Sequence, residues 1–187
     1  MELDGQILVW IQENIRSSVL TPFLIAITTL GNSGVVWVAA SLLLLIPKKT
    51  RKVGLTSILA LLFSLLLNNV ILKNLVARTR PYEIVEGLLP LIEKPWDYSF
   101  PSGHTASSLA SAWVFFKRLP KKFGIPALIL AGLIGLSRLY VGVHYPTDVF
   151  FGAFSGVVCG MAAVLAVDFL SPVLHKGGKI SGWPKKN

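Results

Sequence analysis

The stretch VGLTSILALLFSLLLNNVIL, residues 53–72, decides the fold class of this chain, because it contains no charged residue. A transmembrane helix needs about 20 consecutive apolar residues to cross the hydrocarbon core of a bilayer. The whole chain is 53% hydrophobic and only 14% charged, whereas a typical soluble domain has about 25% charged residues. The stretch and the composition together predict an all-α, polytopic membrane helical bundle, built as a single domain over residues 1–187.

Other apolar runs predict the remaining spans. Ser17–Pro47 carries no charge and as one straight helix would be about 46 Å long, more than a bilayer requires. The GNSG stretch, Gly31–Gly34, predicts a kink or break, and neither half alone reaches the roughly 17 residues of a span. We therefore expect one kinked or re-entrant-plus-span unit. Counted as one crossing it gives five transmembrane helices in all, and counted as two it gives six. The further spans are Thr105–Phe116 (beginning near Ser102), Phe123–Ser137 and Val149–Val167.

The ends of the chain and its charges predict the topology. Leu3, Ile7, Leu8, Ile11 and Ile15 lie near helical spacing, so residues 1–17 are expected to form an interfacial amphipathic helix. The net charge of +9 comes mostly from short basic clusters between apolar runs, which indicates a cytoplasmic side and lipid headgroups rather than a nucleic-acid partner. Residues 171–187 are then a cytoplasmic tail, and the loops without these clusters are extracytoplasmic.

The first polar motif is KNLVARTRP, which places Lys73 and Arg80 two helical turns apart. If the helix continues through both residues, their cations point to one side, and Pro81 helps to end the helix. Two such cations can also simply reach the headgroups, and the motif alone favours that interpretation. Arg78 projects elsewhere and is expected to contact headgroups.

The second motif is PSGH, at the start of the third predicted span. Ser102 is a good N-cap and Gly103 removes side-chain bulk. The backbone N–H groups of a helix start can bind an anion, and His104 lies in the first turn, within reach of that anion. Taken alone, the motif fits an ordinary serine cap beside an interfacial histidine.

The third motif is SRLYVGVHYPTD, which contains Arg138, His144 and Asp148. A carboxylate can hold one imidazole nitrogen and leave the other free as a base or nucleophile. A structural His–Asp pair at a span end is the plain alternative. Because all three motifs fall at span ends on one side of the membrane, their coincidence indicates a functional site.

Three fixed cations and backbone donors suit a phosphate group. The sequence has no carboxylate cluster or His/Cys set with metal-ligand spacing, so neither a metal nor another cofactor is expected. The simplest chemistry is hydrolysis through a phosphohistidine. In it His144 attacks phosphorus while Asp148 holds its tautomer. His104 protonates the leaving oxygen and later activates water.

The three motifs together resemble the signature of the type 2 phosphatidic acid phosphatase (PAP2) superfamily. They read K-x6-RP (Lys73–Pro81), PSGH (Pro101–His104) and SR-x5-H-x3-D (Ser137–Asp148), in the family's order. The resemblance implies that the same histidines and aspartate are catalytic. It also implies a phosphate-binding set, which consists of Lys73, Arg80, Ser102, Gly103 and Arg138. Vanadate-dependent haloperoxidases share the signature, but they are larger soluble helical proteins, which the apolar spans argue against.

The expected substrate is a membrane lipid phosphate in the outer leaflet, with the bilayer itself as the other partner. By resemblance to bacterial relatives, undecaprenyl diphosphate is the first expectation, and phosphatidylglycerophosphate or phosphatidic acid is the alternative. A non-catalytic lipid-phosphate binder or transporter is a further class, and the oligomeric state is left open. The stretch Pro81–Phe100 is expected to form a lid or an entry loop. Its acidic residues are more typical of solvated loop charges than of headgroup selectors, namely Glu83, Glu86, Glu93 and Asp97.

Overall fold

The computed structural model describes residues 3–176, and these residues form helices and no β-strand. The all-α prediction is therefore confirmed for this part of the chain. A 3-10 turn, Asn32–Gly34, joins α2 to α3, and a π-helical segment, Leu65–Leu72, joins α4 to α5. In chain order the helices are α1 (Leu3–Asn14), α2 (Leu20–Leu30), α3 (Val35–Leu45), α4 (Arg51–Ser64), α5 (Lys73–Val76), α6 (Pro81–Ile84), α7 (Gly103–Arg118), α8 (Lys121–Tyr140) and α9 (Pro146–Lys176).

Three stretches of the described chain contain enough apolar helix to cross a membrane, namely Arg51–Ile84, whose long helical part ends at Val76, Lys121–Tyr140 and Pro146–Ser171. Helices α2 and α3 pass the same test together as a pair bent by 48°. The bend lies at the GNSG stretch, as predicted, where Ser33 and Gly34 adopt positive φ values of 51° and 65°. The described residues thus give three to four spans, and the expected five to six remain a prediction.

Helix α7 forms the centre of the bundle and packs against α4, α8 and α9. Its alanines meet glycines of α9 so closely that a Cβ at Gly160 would lie 2.8 Å from the Ala110 carbonyl oxygen. The indole of Trp37 donates to Ser108 Oγ (2.8 Å), so polar side chains also link the helices. Small residues and interhelical hydrogen bonds are the usual means of packing helices in a membrane.

The chain between the first two predicted cations does not continue as a helix, so the expected two-turn spacing was wrong. Helix α5 ends at Val76, and Ala77 adopts a left-handed conformation with φ 48°. Arg80 is extended (ψ 151°) before Pro81, as the residue before proline prefers. Pro81 therefore begins α6, where a missing N–H has no cost, instead of ending the preceding helix.

The described elements have two distinct ends. At one end, Asp168 of α9 pairs with Lys52 of α4 and Arg118 of α7. The opposite end holds the close of α5, the start of α7, the close of α8 and the start of α9, together with α1, which buries Leu8. Helix α9 extends past the predicted Val167 to Lys176, so the predicted tail begins within it. Residues 177–187 of that tail lie outside the described residues.

Candidate active site

Two of the predicted cations share a carboxylate at the end of the bundle that α1 covers. Arg80 Nη2 donates to Asp97 Oδ1 (2.5 Å), and Lys73 Nζ donates to Asp97 Oδ2. Arg80 also donates through Nε to the Asp97 carbonyl (2.7 Å) and through Nη1 to the Val143 carbonyl (2.7 Å). Burial alone would raise the pKa of Asp97, but these two cations hold it below its ordinary value.

The third cation, Arg138, is the largest of the fully buried side chains. It lies in the last turn of α8 and donates from Nη1 to Thr28 Oγ1 of α2 (2.7 Å). Its Nε is buried and has no hydrogen-bond partner among the described residues. A buried guanidinium with a free donor is costly, and an anion in the adjoining cavity would satisfy it.

His144 and Asp148 are adjacent, as their spacing predicted. His144 Nδ1 lies 3.5 Å from Asp148 Oδ2, at the limit of a hydrogen bond, while Nε2 lies 3.4 Å from Arg80 Nη1. Burial lowers the pKa of His144 below its ordinary value, although Asp148 opposes this. The ring is therefore neutral, and a neutral imidazole has the lone pair that a nucleophile requires.

The Asp148 carboxylate is held from several directions. It accepts from Ser99 Oγ and from the Tyr145 N–H (2.9 Å). Arg78 Nη1 donates to its Oδ1 (2.7 Å), and the same guanidinium lies 3.8 Å from the centre of the Tyr145 ring. Asp4 of α1 accepts from Arg78 Nη2 (2.9 Å). Arg78 therefore orients Asp148 and does not project away, which corrects its predicted contact with headgroups.

His104 lies in the first turn of α7, opposite the break between α2 and α3. Its Nε2 is 2.9 Å from Asn32 Oδ1, and the break brings this asparagine to the histidine. A Cβ at Gly31 would lie only 2.8 Å from the His104 ring, so no other residue fits there without moving the ring. The predicted break thus has a positional role beside the histidine.

The start of α7 has the predicted serine cap. Ser102 is non-helical (φ −68°, ψ 107°), and its Oγ accepts from the Thr105 N–H (3.5 Å) and the Thr105 hydroxyl (2.9 Å). A Cβ at Gly103 would lie 3.1 Å from Asn69 Oδ1 of the π-helical segment. Such π-helical segments are frequent at functional sites, and this one lines the same cavity as Gly103.

A cavity of about 580 Å³ joins these groups. It is lined by both histidines, the three cations and Asp97, together with apolar side chains. The apolar residues come from α3, from α4 and from the start of the π-helical segment, and they include Val38, Leu42, Ile58, Leu61, Leu62 and Leu65. Several of these side chains are about half exposed, such as Leu42 (51%) and Leu62 (50%). The arrangement can hold an anion attached to a long apolar chain.

The model of the PAP2 superfamily matches residues 53–171, which include all the predicted site residues together with Arg78 and Asp97. The chain belongs to the PAP2 superfamily. An undecaprenyl-diphosphatase of Sulfolobus acidocaldarius is 40% identical over 145 residues, which is 78% of this chain and 66% of that protein. The chain spans between 55% and 66% of the length of the first curated relatives that it matches.

Solved PAP2 structures have the same fold. LpxE of Aquifex aeolicus superposes with a TM-score of 0.78 at 30% identity and covers 88% of this chain and 96% of that one. A PAP2-type phosphatidylglycerolphosphate phosphatase of Bacillus subtilis superposes with a TM-score of 0.72 at 28% identity, covering 89% of this chain and 85% of that one.

The structure brings every predicted site residue of this PAP2 chain to one end of the bundle, and it adds three that the sequence did not indicate. Asp97 contacts two cations, so its expected place as a solvated loop charge was wrong, whereas Glu83, Glu86 and Glu93 are exposed as expected. Arg78 and Asn32 are the other two additions. The only signals in the sequence were their positions: Arg78 lies within the K-x6-RP motif, and Asn32 lies within the GNSG stretch.

Proposed function

We propose that this chain is an integral membrane lipid phosphatase that acts through a phosphohistidine without a metal ion. The observation that carries the proposal is one cavity whose lining combines His104, His144 and three cations with apolar side chains of α3 and α4. The described residues contain no group of three His, Cys, Asp or Glu side chains placed to hold a metal. Phosphoryl transfer requires charge neutralisation and an aligned nucleophile, and the cations and His144 supply both.

In the first proposed step, His144 Nε2 attacks phosphorus and the bond from phosphorus to the leaving oxygen breaks. Asp148 faces Nδ1 and stabilises the positive charge that develops on the ring. Lys73, Arg80 and Arg138 bind the equatorial oxygens, together with the start of α7 at Ser102 and Gly103. His104 donates its proton to the leaving oxygen, and the bound phosphate favours the protonated form of that histidine.

In the second step, neutral His104 takes a proton from water, and the resulting hydroxide attacks the phosphohistidine. The phosphorus–nitrogen bond breaks, phosphate leaves and His144 returns to its neutral state. His104 is again protonated, so the cycle closes without any other reactant. Asn32, bonded to His104 Nε2, holds the ring in one orientation through both steps.

Undecaprenyl diphosphate is the proposed substrate. The apolar groove between α3 and α4 suits a long hydrocarbon chain, and the 40% identical Sulfolobus acidocaldarius relative is named as an undecaprenyl-diphosphatase. Phosphatidylglycerophosphate and phosphatidic acid are the alternatives, the first of them favoured by the Bacillus subtilis structure.

The decisive experiment measures phosphate release by the purified chain with chelator present. Undecaprenyl diphosphate, phosphatidylglycerophosphate and phosphatidic acid are compared, with His144→Ala as the inactive variant and Tm as a check on folding. The wild type is expected to release phosphate fastest from the first lipid, and the variant is expected to release none. Activity only after metal is added, or release that survives in a folded His144→Ala variant, would contradict the mechanism.

A non-catalytic binder or transporter is separated by the same variant. Such a protein would bind lipid phosphate without releasing phosphate, and binding would not depend on His144 as a nucleophile. Trapping of a 32P-labelled phosphohistidine in the wild type, absent from His144→Ala, is expected only of the enzyme.

The proposed topology has five spans, or six if α2 and α3 cross separately, with α1 lying in the interface. The active site is then extracytoplasmic and the C-terminus cytoplasmic. The basic clusters Lys48–Lys52 and Lys117–Lys122 support this orientation. In a Cys159→Ser background, a cysteine at Glu86 should react with an impermeant maleimide added outside cells, whereas one at Lys121 should not. The reverse pattern would invert the topology.

A further inference from the structure

We propose that the Asp97 carboxylate determines which lipids the phosphate site accepts. It competes with lipid headgroups for the same cations, and an anion with a single negative charge does not displace it. The carboxylate occupies the position between Lys73 and Arg80 that a substrate phosphate requires. This inference rests on the proposed function, because it concerns which lipids the same site admits. It assigns the acidic loop residue a role in recognition rather than in catalysis.

The ion pairs of Asp97 show that the carboxylate, and not either cation, is the group that can leave. Both oxygens of Asp97 are engaged, one by each cation. The Lys73 and Arg80 side chains are 8% and 3% exposed, whereas the Asp97 side chain is 32% exposed. The cations are therefore fixed in the wall of the cavity, and the carboxylate reaches them from the open side. Loss of Asp97 without a replacement would leave two buried cations unpaired, which is costly.

The surrounding loop allows the carboxylate to leave by side-chain rotation alone. Backbone hydrogen bonds from Leu91 N to the Val141 carbonyl (3.0 Å) and from Ser99 N to the Arg78 carbonyl (2.8 Å) hold residues 92–98 at both ends. The Asp97 carbonyl separately accepts from Arg80 Nε. The backbone can therefore keep its contact with Arg80 while the carboxylate gives way to a phosphate.

Charge decides which anions succeed. A phosphodiester lipid carries one negative charge, as Asp97 does. Displacement of the carboxylate by such a headgroup therefore gives the cations no additional negative charge to bind. Asp97 also has the advantage of being tethered, and short tethers correspond to millimolar effective concentrations. A phosphomonoester or a terminal diphosphate group carries about −1.5 to −2 at neutral pH. Its extra oxygen and charge can also engage Arg138, whose Nε has no partner among the described residues.

The consequence is selectivity in a membrane where phosphodiester lipids greatly outnumber the substrate. Without Asp97, their single charge would be attracted by Lys73, Arg80 and Arg138, and the site would fill with lipids that it cannot hydrolyse. With Asp97, only a more highly charged headgroup gains enough from the cations to displace the carboxylate.

The test compares Asp97→Asn, which keeps the shape and removes the charge, with Glu93→Gln, the same change at an exposed position in the same loop. Inhibition of lipid-diphosphate hydrolysis by phosphatidylglycerol is measured in mixed micelles. Asp97→Asn should lower the inhibition constant for phosphatidylglycerol about tenfold, the scale of one charged hydrogen bond. Glu93→Gln should leave it at the wild-type value, and Asp97→Glu should restore rejection.

A second measurement needs no turnover. Asp97→Asn is purified in phosphate, so that its cations are paired, and every protein is exchanged into phosphate-free buffer before the measurement. Inorganic phosphate is then added to each protein and the rise in Tm is recorded. The rise should be larger for Asp97→Asn than for wild type, because phosphate no longer competes with the carboxylate. This measurement separates the role of Asp97 from the proposed phosphatase activity. A larger rise in Tm in a chain that hydrolyses no lipid would support competition by Asp97 and contradict the phosphatase activity.

Two results would overturn the inference. One is an Asp97→Asn variant whose phosphatidylglycerol inhibition and phosphate-induced Tm rise both equal those of wild type. The other is an Asp97→Asn variant that no longer binds phosphate, since this would make Asp97 part of the binding machinery instead of its competitor.

Discussion

Two aspartates at opposite ends of the bundle each join two cations, yet their surroundings differ. Asp168 is 47% exposed, and its partners Lys52 and Arg118 are 17% and 22% exposed. Asp97 pairs with cations that are almost fully buried, beside a third cation and two histidines. The first cluster ties α4, α7 and α9 together at a wet surface. The second concentrates positive charge in a cavity, an arrangement that stabilises a bound anion rather than the fold.

The largest effect that tests this comparison comes from replacing one arginine at each end with lysine. Arg80→Lys removes the fork that bonds the Asp97 and Val143 carbonyls, and lysine cannot reproduce it. We expect kcat/KM for lipid-phosphate hydrolysis to fall about 100-fold or more, the usual cost of one transition-state donor. Arg118→Lys should stay within about twofold, as expected of an exposed pair. Equal losses in the two variants would remove the distinction between the ends.

Arg78 provides a test within the site end of the bundle, because it lies outside the cavity lining and contacts the catalytic residues only at Asp148. Arg78→Lys should slow phosphorylation of His144 about tenfold, since a charged hydrogen bond to Asp148 Oδ1 is weakened. KM should change little, because Arg78 is not among the residues that line the cavity. Rapid-quench measurement of the phosphohistidine gives the rate, and Arg16→Lys is the control, since Arg16 bonds backbone carbonyls at the same end. A rise in KM with an unchanged phosphorylation rate would show that Arg78 contacts substrate.

Asn32 tests whether the helix break contributes to chemistry. Asn32→Ala frees the His104 ring, and we expect the rate of phosphohistidine formation with a lipid phosphate to fall about tenfold, within the range of general acid catalysis. The loss in this first step should nearly vanish with 4-nitrophenyl phosphate, whose leaving group needs no proton, whereas the second step, in which His104 activates water, should slow with both substrates. A loss of the same size in the first step with both substrates would mean that Asn32 supports only the fold.

The smallest effect is expected at the opposite end. Asp168→Asn breaks two partly exposed ion pairs, which are worth less than about 1 kcal/mol each. Tm should fall by a few degrees, about the shift that 1 kcal/mol gives in a chain of this size, and phosphate release should not change. A clear loss of activity would instead couple this cluster to the site.

The sequence predicted most of the site, because the catalytic and phosphate-binding groups can be identified from residue types and from their spacing along the chain. Ser102 caps α7 as its position before GHTASS predicted, and His144 and Asp148 meet because they lie four residues apart around Pro146. Lys73 and Arg80 also meet, although not for the predicted reason. The turn at Ala77 has a positive φ, which alanine rarely adopts, so no local preference indicated it.

Other features depend on contacts between distant segments. Asp97 has no periodic pattern to distinguish it from the other loop acids, and its place between two cations follows from how residues 92–98 are held at both ends. Arg78 was expected to point away because a continuous helix would have turned it. The number of spans is equally hard to predict, since α7 has only 16 residues and owes its central place to close packing against its neighbours.

The apolar groove has a consequence for kinetics. Its walls belong to α3, α4 and the start of the π-helical segment, where the side chains of Val38, Leu42, Leu62 and Leu65 are exposed. A lipid phosphate would therefore reach the histidines by sliding sideways within its leaflet, with its tail always in hydrocarbon. Turnover should then follow the mole fraction of substrate in the surface and not its bulk concentration. Inert lipid or detergent would slow such a reaction by dilution in two dimensions.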